Sequence, residues 1–72
     1  MIRIDSRALL AALDAARVRR ELSWQELSRE IGVSATTMRR LANGGRLEVD
    51  VMLAMVNWLG RTVESFTKRT AQ

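Results

Sequence analysis

Only two residues, Gly32 and Val33, separate the apolar position Ile31 from Ser34, a residue type that caps helix N-termini. Upstream, Ser23-Trp24-Gln25-Glu26 has the Ser-x-x-Glu form of a capping box, in which the serine hydroxyl and the carboxylate each satisfy an orphan backbone N–H. A helix opening at Trp24 carries Leu27 and Ile31 inward and stops at Gly32, which takes the left-handed conformation without steric cost. A third helix starts directly after Ser34. Two short helices must therefore meet at a tight corner.

The rest of the chain reads as helix too. It has 72 residues, 47% of them apolar, with only three aromatics and no proline, and no convincing alternating strand pattern. A chain this short buries only about 60% of the surface its unfolded form exposes, which leaves no room for a second domain or an enclosed substrate cavity. Leu9, Leu10, Leu13 and Ala16 recur at helical spacing after Asp5-Ser6, either of which can cap, and predict a first helix over about 6–20. The second and third helices cover about 24–31 and 35–43. Asn43, Gly44 and Gly45 end the third, since all three tolerate positive φ. Met52, Met55, Val56 and Leu59 form the stripe of a fourth helix over about 49–59, closed by Gly60. Thr62 is placed to cap a fifth over about 62–68 that carries Val63 and Phe66, and the terminal KRTAQ is expected to fray. The expected architecture is one all-α domain of five helices over residues 1–72.

Several functions are disfavoured. The chain has neither cysteine nor histidine, so it lacks disulfides, thiolate or imidazole metal ligands and the usual proton shuttle. Asp14, Glu26 and Glu48 fall on different elements, and no glycine-rich phosphate loop is followed by lysine. Neither enzymatic activity nor a cofactor is expected. The longest uncharged run, Val51 to Gly60, is far shorter than the roughly 18 apolar residues that cross a bilayer. ALLAAL near the start is interrupted by Asp14 and does not read as a signal peptide. The expected location is cytoplasmic and nucleoid-associated.

The net charge of +4 is unevenly placed. Residues 1–47 hold nine arginines against five acids, whereas residues 48–72 hold three bases against three acids. Such asymmetry suggests a polyanionic partner. From Ser34 to Arg46 there are three arginines and no carboxylate, so the third helix cannot neutralise itself by spaced ion pairs. With Met38 and Leu41 facing inward, Ala35, Thr36, Arg39, Arg40 and Asn43 occupy its other sides. Ala35 and Thr36 are small enough for close backbone approach, and Arg40 offers a planar fork that can donate two hydrogen bonds to guanine O6 and N7. A solvated basic face is the plain alternative for this helix alone.

SWQELSREIGVSATTMRRLANGG resembles the helix-turn-helix of the Cro and lambda-repressor-like (Xre) family, with Leu27, Ile31, Gly32, Ser34, Met38, Leu41 and Gly44 at its intervals. VDVMLAMVNWLGRTVESF resembles the family's fourth and fifth helices, so the likeness covers about residues 8–67. It implies a compact five-helix DNA-binding domain and a bacterial or phage transcriptional regulator, Cro-like and usually a repressor, that binds an inverted-repeat operator in double-stranded DNA as a homodimer. Carried over by position, it makes Ala35, Thr36, Arg39 and Arg40 the base-edge readers, with Arg39 near base or phosphate. Ser34, Thr37 and Asn43 would contact phosphates, and the Trp24 indole N–H could donate to the DNA backbone or the ring could staple the helix start. Arg46, in the loop after the glycines, reads as a phosphate or minor-groove contact, and Arg3 and Arg7 could do likewise, with simple solvation as their plain alternative.

Two departures stand out. Where many relatives carry glutamine this chain has Ala35, which touches a thymine methyl but cannot hydrogen-bond a base. Where many relatives pair the arginine corresponding to Arg17 with an acid, this chain has Ala42, so Arg17 is left to a phosphate, Glu21 or another acid. Trp58, Arg61 and Val63 are the expected dimer contact, with Trp58 covering a thin monomeric core as the alternative. Antitoxin subunits and adaptor proteins reuse this fold for protein partners, which is the rival function, and an architectural role in recombination is a third.

Overall fold

The computed structural model describes residues 2–69, without the side chains of Ile2, Arg3, Lys68 and Arg69; of KRTAQ, expected to fray, residues 70–72 lie outside what is described and residues 68 and 69 are strand instead. The order is β1 (Ile2–Ile4), α1 (Ser6–Arg19), α2 (Trp24–Ile31), α3 (Ala35–Ala42), α4 (Val49–Leu59), a 3-10 turn (Val63–Phe66) and β2 (Thr67–Arg69). The domain is helical apart from a ribbon in which Ile2, Arg3 and Ile4 pair antiparallel with Arg69, Lys68 and Thr67.

The first three helices start where their caps predict, and α4 follows Glu48 without a side-chain cap bond. Asp5, rather than Ser6, caps α1 by accepting from the Ala8 N–H at 3.1 Å. The capping box of α2 is complete: the Glu26 N–H donates to Ser23 Oγ at 3.0 Å, and the Ser23 N–H donates to Glu26 Oε1 at 2.9 Å. Ser34 Oγ accepts from the Thr37 N–H at 3.1 Å and opens α3.

All four helices end in one way. A left-handed residue just past the helix, Glu21, Gly32, Gly44 or Gly60, is followed by a backbone N–H that reaches back to close a Schellman turn. These bonds run from Leu22 to Arg17 O (2.9 Å), Val33 to Ser28 O (3.0 Å), Gly45 to Arg40 O (2.8 Å) and Arg61 to Val56 O (3.2 Å). Asn43 at the end of α3 has φ −89°, so of its three permissive residues only Gly44 uses positive φ. Gly45 answers a different need: a Cβ there would lie 2.6 Å from Arg40 Cγ and 3.2 Å from Arg40 O.

The expected fifth helix is not formed. Val63–Phe66 make a 3-10 turn, and residues 67–69 leave it as a strand. Thr62 does not cap it with its side chain; instead its carbonyl accepts from Ser65 Oγ at 2.6 Å, and Thr67 Oγ1 donates to Glu64 O at 2.9 Å. The two hydroxyls take carbonyls that a continuing helix would need, and pairing with β1 captures the chain beyond Phe66. The core lies between α1 and the other elements: Leu9, Leu13, Leu27, Leu41, Met55 and Phe66 are the largest side chains it encloses fully. Among the described residues no helix is long and apolar enough to cross a membrane.

Among the described residues Glu21 is the one non-glycine residue with positive φ, at 55°, a conformation that costs an L-residue about 1 kcal/mol or more. Glu21→Gly should therefore raise unfolding stability by about 1 kcal/mol, read from denaturant midpoints at constant slope; a loss of stability would show that the glutamate side chain holds the turn. A second expectation concerns acid. The Ser23 backbone N–H, then its side chain, and Arg29 hold the Glu26 carboxyl below its ordinary value. A depressed folded-state value stabilises above the unfolded value and is lost as pH falls through the folded one. Wild type should be more stable than Glu26→Gln at neutral pH, with the gap closing below the usual glutamate range; a gap independent of pH would refute this.

Candidate nucleic-acid interface

The corner between α2 and α3 is fixed at both ends, by left-handed Gly32 with φ 89° and by the Ser34 cap. Buried Met38 and Leu41 seat α3 on the core. Ala35, Thr36, Arg39, Arg40 and Asn43 are exposed, and Thr37 is half-buried. No carboxylate pairs with Arg39, Arg40 or Arg46 among the described residues. The outward side of α3 is thus a cationic strip with hydroxyl and amide donors.

The four base-edge candidates share this surface. Arg40 runs its stem over Gly45, so the doubled glycine fixes where the guanidinium starts. Ser34 and Thr37 hydroxyls bond each other at 2.9 Å; one proton closes that bond and the other stays available to an acceptor. Arg46 borders the same depression as Gly44 and Gly45. Arg7 borders another together with Asn43 and Gly44, which brings the start of α1 beside the end of α3. Sequence spacing gave no sign of that neighbour, because the closeness arises from the packing of α1 on α3.

Arg17 departs from its expected phosphate role. Its Nε and Nη2 donate to Asp14 Oδ1 at 3.1 and 2.7 Å, and its Nη1 donates to Leu22 O at 2.9 Å. The guanidinium also lies over the Trp24 ring, 4.7 Å from its centroid. With these donors engaged, Arg17 ties the α1–α2 turn and supports Trp24 rather than offering a free cation. The acid left open by Ala42 is Asp14, one turn back on the same helix. Trp24 itself is 38% exposed, and its indole N–H has no acceptor among the described residues.

The expected dimer residues are engaged within the chain. Trp58 is half-buried against the core, donates from Nε1 to Glu30 Oε1 at 3.3 Å, and is covered by the Arg20 guanidinium 4.4 Å from its ring centroid. Arg20 also lies 3.9 Å from Glu30 Oε1, so this cluster joins α1, α2 and α4. Arg61 covers the Phe66 ring at 4.5 Å, and Val63 packs on the core. The alternative role of Trp58, closing a thin core, is the one its contacts describe. The large apolar residues left exposed on α4 are instead Val49 and Leu53, one turn apart.

Comparison of the chain with protein-family models, curated proteins and solved structures gave no match.

If Arg17 positions Trp24, Arg17→Ala in a Trp58→Phe background should speed the local anisotropy decay of the remaining indole. Lysine should not restore it, because it lacks the planar fork that bonds two acceptors and stacks. An unchanged decay would reduce the stack to a passive contact.

Proposed function

We propose that the protein is a sequence-specific double-stranded DNA-binding regulator of transcription, with a lambda-repressor-like fold that inserts α3 into the major groove. The observation that carries the reading is the acid-free outward side of α3, held by two caps and a two-residue corner. A helix presented that way can lie between phosphate walls, whereas carboxylates on its face would be repelled by them.

Thr36, Arg39 and Arg40 then contact base edges, with Ala35 close to a thymine methyl. Ser34, Thr37, Asn43 and Arg46 take phosphates, and the free indole N–H of Trp24 adds one donor at the start of α2. Two copies would place α3 in successive grooves about 34 Å apart on an inverted repeat, and binding across a promoter would exclude polymerase. The rival reading, a protein-interaction module of antitoxin or adaptor type, draws on exposed Val49 and Leu53.

Selection of bound sites from random duplexes separates the two, since an enriched sequence supports regulation and none supports the rival. On the selected site Arg40→Ala should cost about 1–3 kcal/mol, and less on mismatched sites. Equal weakening on every sequence would make Arg40 a phosphate contact. Arg46→Ala should weaken binding uniformly and lower the salt slope by about one unit; an unchanged slope would exclude the phosphate role.

A further inference from the structure

Between α2 and α3 runs an open groove of about 410 Å³, and its lining is mostly apolar. One stripe of α3, Ala35, Met38, Arg39 and Ala42 at i, i+3, i+4 and i+7, forms one side; Trp24 stands opposite, and Leu10 of α1 reaches it from below. Such a groove is unexpected on a surface otherwise suited to phosphates. It exists because positions 35 and 42 carry only methyl groups, so α3 leaves a furrow where longer side chains would close it. Its volume falls in the range of small-molecule sites, about 300–1,000 Å³, and its make-up is theirs too: an apolar body with a few polar groups.

We infer that this groove binds a small amphipathic aromatic anion, and that its occupation and DNA binding exclude one another. The ring system of the ligand packs between the Trp24 indole and the methyl-lined side of α3, over Leu10 and Met38. The anionic group reaches Arg39, which is exposed and has no carboxylate partner among the described residues. No acidic residue lines the groove, so the charge there matches an anion and opposes a cation. Part of the wall is held in place: Arg17, bonded to Asp14 and Leu22 O, stacks on the indole and restrains it. Ser28, also in the lining, already donates its hydroxyl proton to Trp24 O at 2.9 Å, so it leaves no unpaired donor in the groove. Pre-formed walls reduce the ordering that binding must oppose.

The exclusion half rests on the DNA-binding reading, because Ala35, Arg39 and Trp24 belong to both surfaces; the ligand site itself does not. The probe is 1-anilinonaphthalene-8-sulfonate, titrated against the folded protein in a Trp58→Phe background so that energy transfer reports on Trp24 alone. Saturable one-to-one binding with quenching of that indole is expected. Ala42→Leu, at an exposed helix position, should fill the furrow and weaken binding by roughly tenfold or more, and Arg39→Gln by a smaller factor. Circular dichroism and a cooperative melt check that each variant is folded, which separates a groove from dye uptake by loosened structure. Saturating dye should also release a bound duplex. Absence of saturable binding, or binding unchanged in folded Ala42→Leu, overturns the site. Binding that responds to Ala42→Leu but leaves the duplex bound overturns the exclusion. If no duplex binds even without dye, the DNA reading falls and the exclusion with it, while the dye titrations still decide the site.

Discussion

Four residues in the left-handed region set the direction of every helix in this chain. Glu21, Gly32, Gly44 and Gly60 each stand just past a helix end and let the following N–H close a Schellman turn. The dependence follows from size. Among the described residues only nine apolar side chains are buried, and so thin a core leaves much of the orientation of short helices to their ends. Side-chain caps at three of the starts and left-handed turns at all four ends supply the geometry that packing alone would leave loose.

The positive charge divides into two populations, and only one is available to a partner. Arg17, Arg20 and Arg61 lie over Trp24, Trp58 and Phe66, the three aromatics of the chain. Each shields part of a ring from water by its stem and plane, and Arg17 and Arg20 also meet carboxylates. Arg39, Arg40 and Arg46 have no such partners among the described residues, and neither do exposed Arg7, Arg19 and Arg29. The net charge of the first two thirds of the sequence thus overstates how much of it is free, and the acid-free part of what is free lies on and just after α3.

Much of the fold was legible because caps and glycines act locally. Ser23, Glu26, Gly32, Ser34 and Gly60 do what their types and spacing imply, and they mark the helix starts and stops. Misjudged features depended on distant partners. The ribbon has strands of three residues, too short for a pattern, and forms because the two ends of the domain meet. The fifth helix failed for the same reason, since β1 competes for residues 67–69. Trp58, at the edge of the α4 stripe, left partner contact and core cover both open in sequence; Glu30 and Arg20, far away in sequence, are its neighbours in the fold. Arg17 was ambiguous in sequence because Asp14, Glu21 and a phosphate were all chemically acceptable, and the choice was made by the position of the α1–α2 turn. On α3 the exposed residues were legible from Met38 and Leu41, but the groove beside them was not, because it needs α2 and α1 as its other walls.

The paired glycines after α3 are unlike one another in physical terms. Gly44 is there for its backbone, at φ 75°. Gly45 is there for the space that a side chain would take from Arg40, whose Cγ and carbonyl press on that position. The loop and the helix are therefore coupled: the Gly45 N–H holds the Arg40 carbonyl at 2.8 Å while the bare Cα accepts the Arg40 stem. Fixing the first carbons of a long side chain removes part of its rotamer freedom before any partner arrives, and leaves the guanidinium free to turn. An arginine anchored at its base and unpaired at its head suits selective recognition better than a freely waving cation, because less entropy is lost for each hydrogen bond made. Arg39 lacks that support and lines the apolar groove, so the two adjacent arginines face different environments.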